Sequence, residues 1–107
     1  MIVRVTRAKI QPHAEAEVFR ILRDVSNSSP RPPGMEAMLI GRRMNDDGNE
    51  FIAIGVWTDI EALQATMTGS WREPRVIPQL EPYLEQMTVE HFETVVDQFE
   101  SLNTLGT

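Results

Sequence analysis

The sequence predicts an α+β domain in which strands and helices follow the order β-α-β-β-α-β. An alternation of apolar and polar residues over Ile2–Ile10 indicates a strand, and after His13 the apolar spacing changes to that of a helix. Two further apolar runs, Met35–Arg43 and Glu50–Trp57, are separated by a segment with an Asp-Gly step. These observations predict an antiparallel four-stranded sheet with helices on one side.

The first third of the chain divides into a strand, a helix and a loop. The predicted strand Ile2–Ile10 is rich in β-branched residues and stops at Pro12, which cannot donate to a strand ladder. One face of the following helix is apolar and is formed by Ala14, Val18, Ile21, Leu22 and Val25. Three prolines within Ser26–Gly34 predict a loop after this helix.

The next two strands are predicted to form a hairpin. Between Met35–Arg43 and Glu50–Trp57 lies Asn45-Asp46-Asp47-Gly48-Asn49. Its glycine supplies the positive φ that a tight turn needs, so the two strands are expected to be antiparallel neighbours.

A capping pattern predicts the second helix. Thr58-Asp59-Ile60-Glu61 has the spacing of a capping box, in which the Thr hydroxyl and the Glu carboxylate each accept from a free backbone amide. The helix is then expected to run through Leu63 and Met67 to a stop at Gly69.

The same pattern recurs before the last strand. Ser70-Trp71-Arg72-Glu73 predicts a short helix that runs toward Leu80 and is closed by Pro82. The final strand is predicted at Gln86–Val95, and the sequence does not decide whether the residues beyond it form a helix or an arm.

Both faces of the third strand are apolar. One face carries Phe51, Ala53, Gly55 and Trp57, and the other carries Ile52, Ile54 and Val56. The helices of one small domain cover only one face of a sheet. We therefore expect the second face to be covered by the same face of an identical subunit, in a homodimer.

Composition narrows the classes of function. The 107 residues hold 10 Lys+Arg against 16 Asp+Glu, and the net charge of −6 offers no basic field for nucleic acid. The absence of cysteine excludes a disulfide, a thiolate nucleophile and a Cys-ligated metal, and two isolated histidines predict no metal site. Arg4, Arg7 and Lys9 interrupt the stretch that a signal peptide would need, so we expect a cytoplasmic protein without a membrane span.

Three parts of the chain carry a resemblance to a known family. They are Lys9-Ile10-Gln11-Pro12, then Gly55-Val56-Trp57-Thr58-Asp59 with Glu61-Ala62-Leu63-Gln64-Ala65, and Val89-Glu90-His91-Phe92-Glu93. In these parts the chain resembles the dimeric α/β-barrel proteins, in particular the antibiotic biosynthesis monooxygenase-like (ABM) group. The resemblance covers roughly residues 2–95, so we expect one ferredoxin-like domain at 1–95 and a C-terminal extension at 96–107 that contacts the partner subunit.

The resemblance implies a split βαβ subunit whose sheet pairs with that of a second copy to form a barrel. Many members have a small pocket between sheet and helices. Their enzymes oxidise quinol-type aromatics without metal or flavin, degrade haem, or isomerise small metabolites. The resemblance therefore implies no cofactor.

Two departures from the family pattern bear on activity. Many members place a Glu two residues before the tryptophan, where this chain has Gly55, and many carry a His on the second helix, where it has Thr66. The first strand also lacks the Asn that haem-degrading relatives use. Haem degradation is therefore disfavoured, while oxidation or isomerisation of a small molecule remains open.

The candidate site residues are predicted from their chemistry. As catalytic groups we predict His91, which titrates near neutral pH and moves a proton, and Arg72, which stabilises an anion. For substrate binding we predict the indoles of Trp57 and Trp71 as an aromatic wall, the guanidinium of Arg4, and Tyr83. His13 is expected on the surface.

Three functional hypotheses follow. The first is a cofactor-independent monooxygenase-like enzyme that acts on a small aromatic or quinol-type substrate in a pocket between sheet and helices. The second is a non-catalytic dimeric module that binds a small molecule or serves a structural role, which Gly55 and Thr66 favour. The third is an isomerase or dehalogenase-like relative that needs a proton shuttle and no oxygen.

Overall fold

A computed structural model describes residues 1–44 and 49–96. Its elements are β1 (Ile2–Ile10), α1 (Glu15–Ser28), β2 (Met35–Arg42), β3 (Glu50–Trp57), α2 (Ile60–Thr66), a 3₁₀ turn (Glu81–Tyr83) and β4 (Leu84–Glu93). The strands form one antiparallel sheet in the order β2-β3-β1-β4. This arrangement confirms the predicted ferredoxin-like α+β fold.

Strand register divides the sheet into two faces. On β1, Ala8 lies opposite Phe51 of β3, and Arg4 lies opposite both Gly55 of β3 and His91 of β4. This face, here called the helix face, packs against α1 through a buried cluster. The cluster contains Ala8, Ile10, Val18, Ile21, Leu22, Phe51 and Leu80.

The other side of the sheet, here called the open face, is apolar along its centre. It carries Val3, Val5, Ala37, Leu39, Ile52, Ile54, Val56 and Phe92, as the strand pairings require. Leu39 is 55% exposed and Phe92 is 51% exposed. The prediction that β3 is apolar on both faces is thus confirmed.

The first helix extends further than predicted. It continues to Ser28, whereas the sequence placed a loop from Ser26. The Ser28 hydroxyl donates to the carbonyl oxygens of Asp24 at 2.7 Å and Val25 at 3.3 Å. These bonds satisfy carbonyls that the end of a helix otherwise leaves free, so serine is compatible with the last turn.

The cap of α2 is one residue later than predicted. Asp59 is the N-cap, and its Oδ1 accepts from the backbone N–H of Ala62 at 2.8 Å. The backbone N–H of Thr58 instead donates to the carbonyl oxygen of Gly34 at 2.8 Å. Thr58 therefore ties the strand end to the preceding loop and leaves the capping role to its neighbour.

Replacing Asp59 by alanine is expected to lower the free energy of unfolding by about 1 kcal/mol, because one amide of the first turn loses its acceptor. Thr58→Ala is the matched control and should cost much less, since Thr58 contributes a backbone amide that alanine retains. Urea unfolding of both variants measures the difference. Equal losses would contradict the assignment of the cap.

The helix predicted from Ser70 toward Leu80 is absent. The chain makes a turn there, with the Glu73 N–H donating to the Ser70 carbonyl at 3.2 Å. Pro74 and Pro78 cannot donate backbone hydrogen bonds within this stretch. Pro82, predicted to close the helix, instead lies inside the 3₁₀ turn Glu81–Tyr83.

The outer strands differ from prediction at their ends. The strand β2 ends at Arg42, one residue early, and β4 spans Leu84–Glu93, two residues before the predicted range at each end. The partner of Glu93 is Ile2, the first residue of β1, so Val95 has no β1 residue to pair with. Residues 45–48 of the predicted turn and 97–107 of the predicted extension lie outside the described residues.

Among the residues that the structure describes, no helix combines the length and the apolar character needed to cross a bilayer.

Candidate functional site

A buried arginine organises the helix face near the start of β1. The Arg4 residue is 6% exposed. Its Nη1 donates to the Trp71 carbonyl oxygen and to His91 Nε2, the latter at 2.8 Å, and its Nη2 donates to the Glu73 carbonyl oxygen at 2.9 Å. We call Arg4, Trp71, Arg72, Glu73 and His91 the Arg4 cluster. The Arg4 guanidinium therefore links the segment 71–73 to β1, which carries Arg4, and to β4, which carries His91.

The contact with Arg4 fixes the proton on His91. A guanidinium has donors and no acceptor, so His91 Nε2 must accept and the ring proton lies on Nδ1. Burial lowers the pKa of His91 from its ordinary value, and the positive charges of Arg4 and Arg72 lower it further. At neutral pH the ring is therefore an uncharged hydrogen-bond donor through Nδ1–H.

Aromatic contacts complete the cluster. The Trp71 and His91 rings meet edge to face, with centroids 4.8 Å apart and planes at 80°. The guanidinium carbon of Arg72 lies 4.5 Å from the centre of the Trp71 ring, a cation–π contact. The structure therefore brings together four of the six predicted site residues.

Three guanidinium groups, those of Arg4, Arg72 and Arg75, lie in or beside the cluster. Burial lowers the pKa of Arg4, and the nearby charge of Arg75 adds to this effect. The donors of Arg4 reach two backbone carbonyls and an imidazole, with no carboxylate among these partners. An anionic oxygen placed beside Arg72 and Arg75 would therefore reduce the repulsion among these charges.

Trp57 lies one strand away from the cluster. It is 1% exposed, and its Nε1–H has no hydrogen-bond partner among the described residues. A Cβ at Gly55, which pairs with Arg4, would come within 3.1 Å of this nitrogen. Leaving a buried donor unpaired lowers the free energy of unfolding by on the order of 1–3 kcal/mol, so the Nε1–H of Trp57 destabilises the fold.

Tyr83 lies at the opposite end of the sheet from the Arg4 cluster. Its carbonyl oxygen accepts from the Gln11 N–H at 2.8 Å, and its side chain packs against the core. At about 3.3 Å per strand residue, the six residues from Arg4 to Ile10 correspond to roughly 20 Å. The structure therefore does not bring Tyr83 to His91.

Two cavities of about 350 Å³ lie away from the cluster. One is on the open face and includes Arg7, Lys9 and Thr88 among its lining residues, and the other is lined in part by Val76 and Met87. Among the described residues, no group of three or more His, Cys, Asp or Glu side chains is placed to hold a metal ion.

Sequence reasoning missed the contributions of Arg75 and of the backbone. The acceptors that hold Arg4 are carbonyl oxygens of Trp71 and Glu73, which every residue type provides. No residue pattern marks such an acceptor. The signal that was available is the position of Arg4 among apolar neighbours on β1, since a buried arginine requires several partners.

Solved structures share this fold. A structure described as antibiotic biosynthesis monooxygenase is 23% identical to this chain, covers 90% of it and 100% of its own length, and superposes with a TM-score of 0.70. SnoaB, a cofactor-independent oxygenase from Streptomyces nogalater, is 22% identical and covers 90% of this chain and 94% of its own, with a TM-score of 0.67. The chain therefore has the fold of the ABM structures, as the resemblance predicted.

A third structure of this fold holds a porphyrin. A mutant of MhuD with manganese protoporphyrin IX bound is 17% identical, covers 91% of this chain and 97% of its own, and has a TM-score of 0.64. The sequence matches no family model and no curated protein.

Proposed function

We propose that this protein is a cofactor-independent monooxygenase-like enzyme that acts on a small aromatic or quinol-type substrate beside the Arg4 cluster. The observation that carries the proposal is the hydrogen bond from Arg4 to His91 Nε2. It leaves a neutral Nδ1–H donor next to the charge of Arg72. Such a pair favours the anionic form of a phenol over its neutral form.

The proposed reaction needs no cofactor to balance. A hydroquinone and molecular oxygen give a hydroxyquinone and water, so the substrate supplies every electron. The hydroxyl proton goes to solvent, because His91 Nε2 is occupied by Arg4. Arg72 and the Nδ1–H of His91 hold the resulting phenolate, and Trp71 contacts the substrate ring. This assigns to His91 the role of donor in place of the predicted proton acceptor.

Oxygen uptake with a panel of hydroquinones tests the proposal. We expect turnover by the wild type, and a loss of about 10²-fold or more in kcat/KM for His91→Ala, since a donor to the developing anion is removed. Arg72→Ala should also lose activity. The control is His13→Asn, because His13 lies outside the cluster with φ of 68°, a conformation that asparagine tolerates.

The alternative is a binding module that performs no chemistry. Gly55 and Thr66 favour it, because neither residue supplies the acid or base that many proteins of this fold carry at these positions. In that case an aromatic ligand raises Tm without oxygen uptake or product. If no compound of the panel gives oxygen uptake or a rise in Tm, both proposed functions are contradicted.

We also propose that the open face is covered by a second copy of this chain. Apolar side chains on all four strands point to that face, and an isologous pairing would bury this surface on both subunits. The exposed Leu39 and Phe92 would then lie at the interface.

Sedimentation equilibrium of Leu39→Asp tests the dimer. We expect wild type to sediment as a dimer and the variant to dissociate, because a carboxylate would be buried without a partner. Met44→Asp is the matched control, since Met44 is 98% exposed and lies beyond the end of β2. A wild-type monomer at micromolar concentration contradicts the proposal.

A further inference from the structure

The open face of the sheet is polar at one end. Beyond Val5, the next two residues of β1 on this face are Arg7 and Lys9. On β4, Thr88 lies opposite Arg7. Gln86 lies opposite Lys9. Neighbouring strands are about 5 Å apart and successive residues on one face about 7 Å apart, so four side chains with hydrogen-bond donors stand at the corners of a small rectangle. We call these four residues the donor group.

A cavity of about 350 Å³ opens at this end of the open face. The whole donor group lines it, and Ile52 of β3, which lies opposite Arg7, adds an apolar wall. The volume falls at the lower end of the range for ligand pockets, about 300–1,000 Å³. The cavity therefore has room for a small molecule with one polar and one apolar side.

Positive charge is concentrated around this cavity. Four of the ten Lys and Arg residues of the chain line it, namely Arg7, Lys9, Arg42 and Arg43. Among the described residues that line it, Glu50 is the one carboxylate, and Arg43 holds it at 2.5 Å. The guanidinium carbon of Arg42 lies 5.7 Å from the centre of the Phe19 ring, so Arg42 contributes charge and no donor. In a chain of net charge −6, this local excess of cations favours an anionic ligand.

The two cations of the donor group are available to such a ligand. Within residues 1–44 and 49–96, the Lys9 ammonium makes no hydrogen bond or ion pair. The Nε of Arg7 is 3.5 Å from Glu90 Oε1, and both side chains are more than half exposed. An exposed pair of this length contributes little to stability, so a stronger anion can replace Glu90 as the partner of Arg7.

We propose that the donor group binds the phosphate of a small phosphorylated molecule. A phosphate monoester carries close to two negative charges at neutral pH and three strong acceptor oxygens. The donor group offers it a guanidinium, an ammonium, an amide and a hydroxyl. The organic part of the ligand lies along Ile52 in the rest of the cavity. This site is on the opposite side of the sheet from the Arg4 cluster, so it is independent of the proposed monooxygenase-like function. The four donors also lie outside the apolar area that the second copy is proposed to cover.

Nuclear magnetic resonance of the backbone amides, followed while glycerol phosphate is added, tests the site. Glycerol is the uncharged counterpart of this probe, and sodium chloride at matched ionic strength controls for screening. We expect saturable shifts at the amides of residues 7–9 and 86–88 with glycerol phosphate and none with glycerol. Inorganic phosphate should compete, because it carries the same charge, and should bind more weakly, because it lacks the organic part.

Single substitutions separate direct contact from general attraction. Lys9→Ala and Arg7→Ala should each weaken binding by at least about tenfold, since each removes a charge-assisted hydrogen bond. Thr88→Val keeps shape and charge and should weaken binding by about threefold or more, because only the hydroxyl is lost. Arg23→Ala is the matched control: it removes the same charge from an exposed position on α1. It should change the affinity by less than about twofold, because salt screens a distant charge.

Equal weakening by Lys9→Ala and Arg23→Ala would show a diffuse electrostatic attraction in place of a site and would overturn the inference. Shifts centred on residues 72–75, or no saturation at millimolar glycerol phosphate, would overturn it as well. These measurements require no turnover. Phosphate binding by a protein that oxidises no hydroquinone keeps this site and loses the proposed oxidation, and oxidation without phosphate binding does the reverse.

Discussion

Replacing Gly34 by alanine is expected to lower the free energy of unfolding by roughly 3–5 kcal/mol, through backbone strain and a clash together. Gly34 has φ of 84°, which side chains disfavour, and an added Cβ would fall inside contact distance of the Ala62 Cβ on α2. Its carbonyl oxygen also accepts from Thr58, so the loop cannot move away freely. The expected fall in Tm exceeds about 10 °C for a chain of this size.

Gly69 separates the two causes of this loss. Its φ is 82°, nearly that of Gly34, but a Cβ added there meets no atom within 4 Å. Gly69→Ala should therefore cost about 1–2 kcal/mol, the strain alone. Adding Ala62→Gly to Gly34→Ala should recover part of the loss. Equal destabilisation at Gly34 and Gly69, by urea unfolding, would show that α2 does not pack on the loop.

Replacing Arg4 by alanine is expected to release the segment 71–73 and to cost roughly 2–4 kcal/mol, because charge-assisted hydrogen bonds to two carbonyls and an imidazole are lost. Trypsin should then cut faster after Arg72, which lies within the released segment, and after Arg75, which lies two residues beyond it. The pKa of His91 should rise, since both the burial and the positive charge that depress it are reduced. Digestion rates, urea unfolding and imidazole titration measure the three effects.

Arg7 provides the matched control on the same strand. It lies on the open face, and its ion pair with Glu90 is 3.5 Å long with both side chains more than half exposed. The ion-pair partner of Arg7 is Glu90 and not the segment 71–73 or His91, so Arg7→Ala should leave the rate of cleavage after Arg72 and Arg75 and the His91 pKa unchanged. Arg4→Lys keeps the charge without the forked donors and should protect the turn only in part. Similar results for Arg4→Ala and Arg7→Ala would contradict the anchoring role of Arg4.

The sheet was predictable because its signals are local. The alternating residues of β1 and the apolar run of β3 predict both strands with their observed bounds. The Asp-Gly step predicts that β2 and β3 are antiparallel neighbours, as the sheet shows. The conformation of segment 70–80 was not predictable. Its capping pattern favours a helix, but two prolines and the hydrogen bonds from Arg4 to the Trp71 and Glu73 carbonyl oxygens prevent one. A buried guanidinium takes carbonyls that helical hydrogen bonds would have used.

Most residues of the candidate site could be predicted from the sequence, but the hydrogen bonds among them could not. His91 and Arg4 face each other because strand register places them opposite, and no local pattern reveals which strands pair. From the sequence, His91 is predicted to be a free base, whereas in the structure its Nε2 accepts a hydrogen bond from Arg4. The unpaired nitrogen of Trp57 was equally hidden, since it depends on how the indole lies over Gly55.

Nitrogen chemical shifts of the His91 imidazole, followed from acid to neutral pH, test the chemistry of the site most directly. With Nε2 accepting from Arg4, we expect a ring that is neutral at pH 7, carries its proton on Nδ1, and titrates below its ordinary pKa of 6.5. The wild-type protein without ligand suffices for this measurement. A ring protonated on Nε2, or a pKa above 6.5, would contradict the arrangement on which the proposed anion site depends.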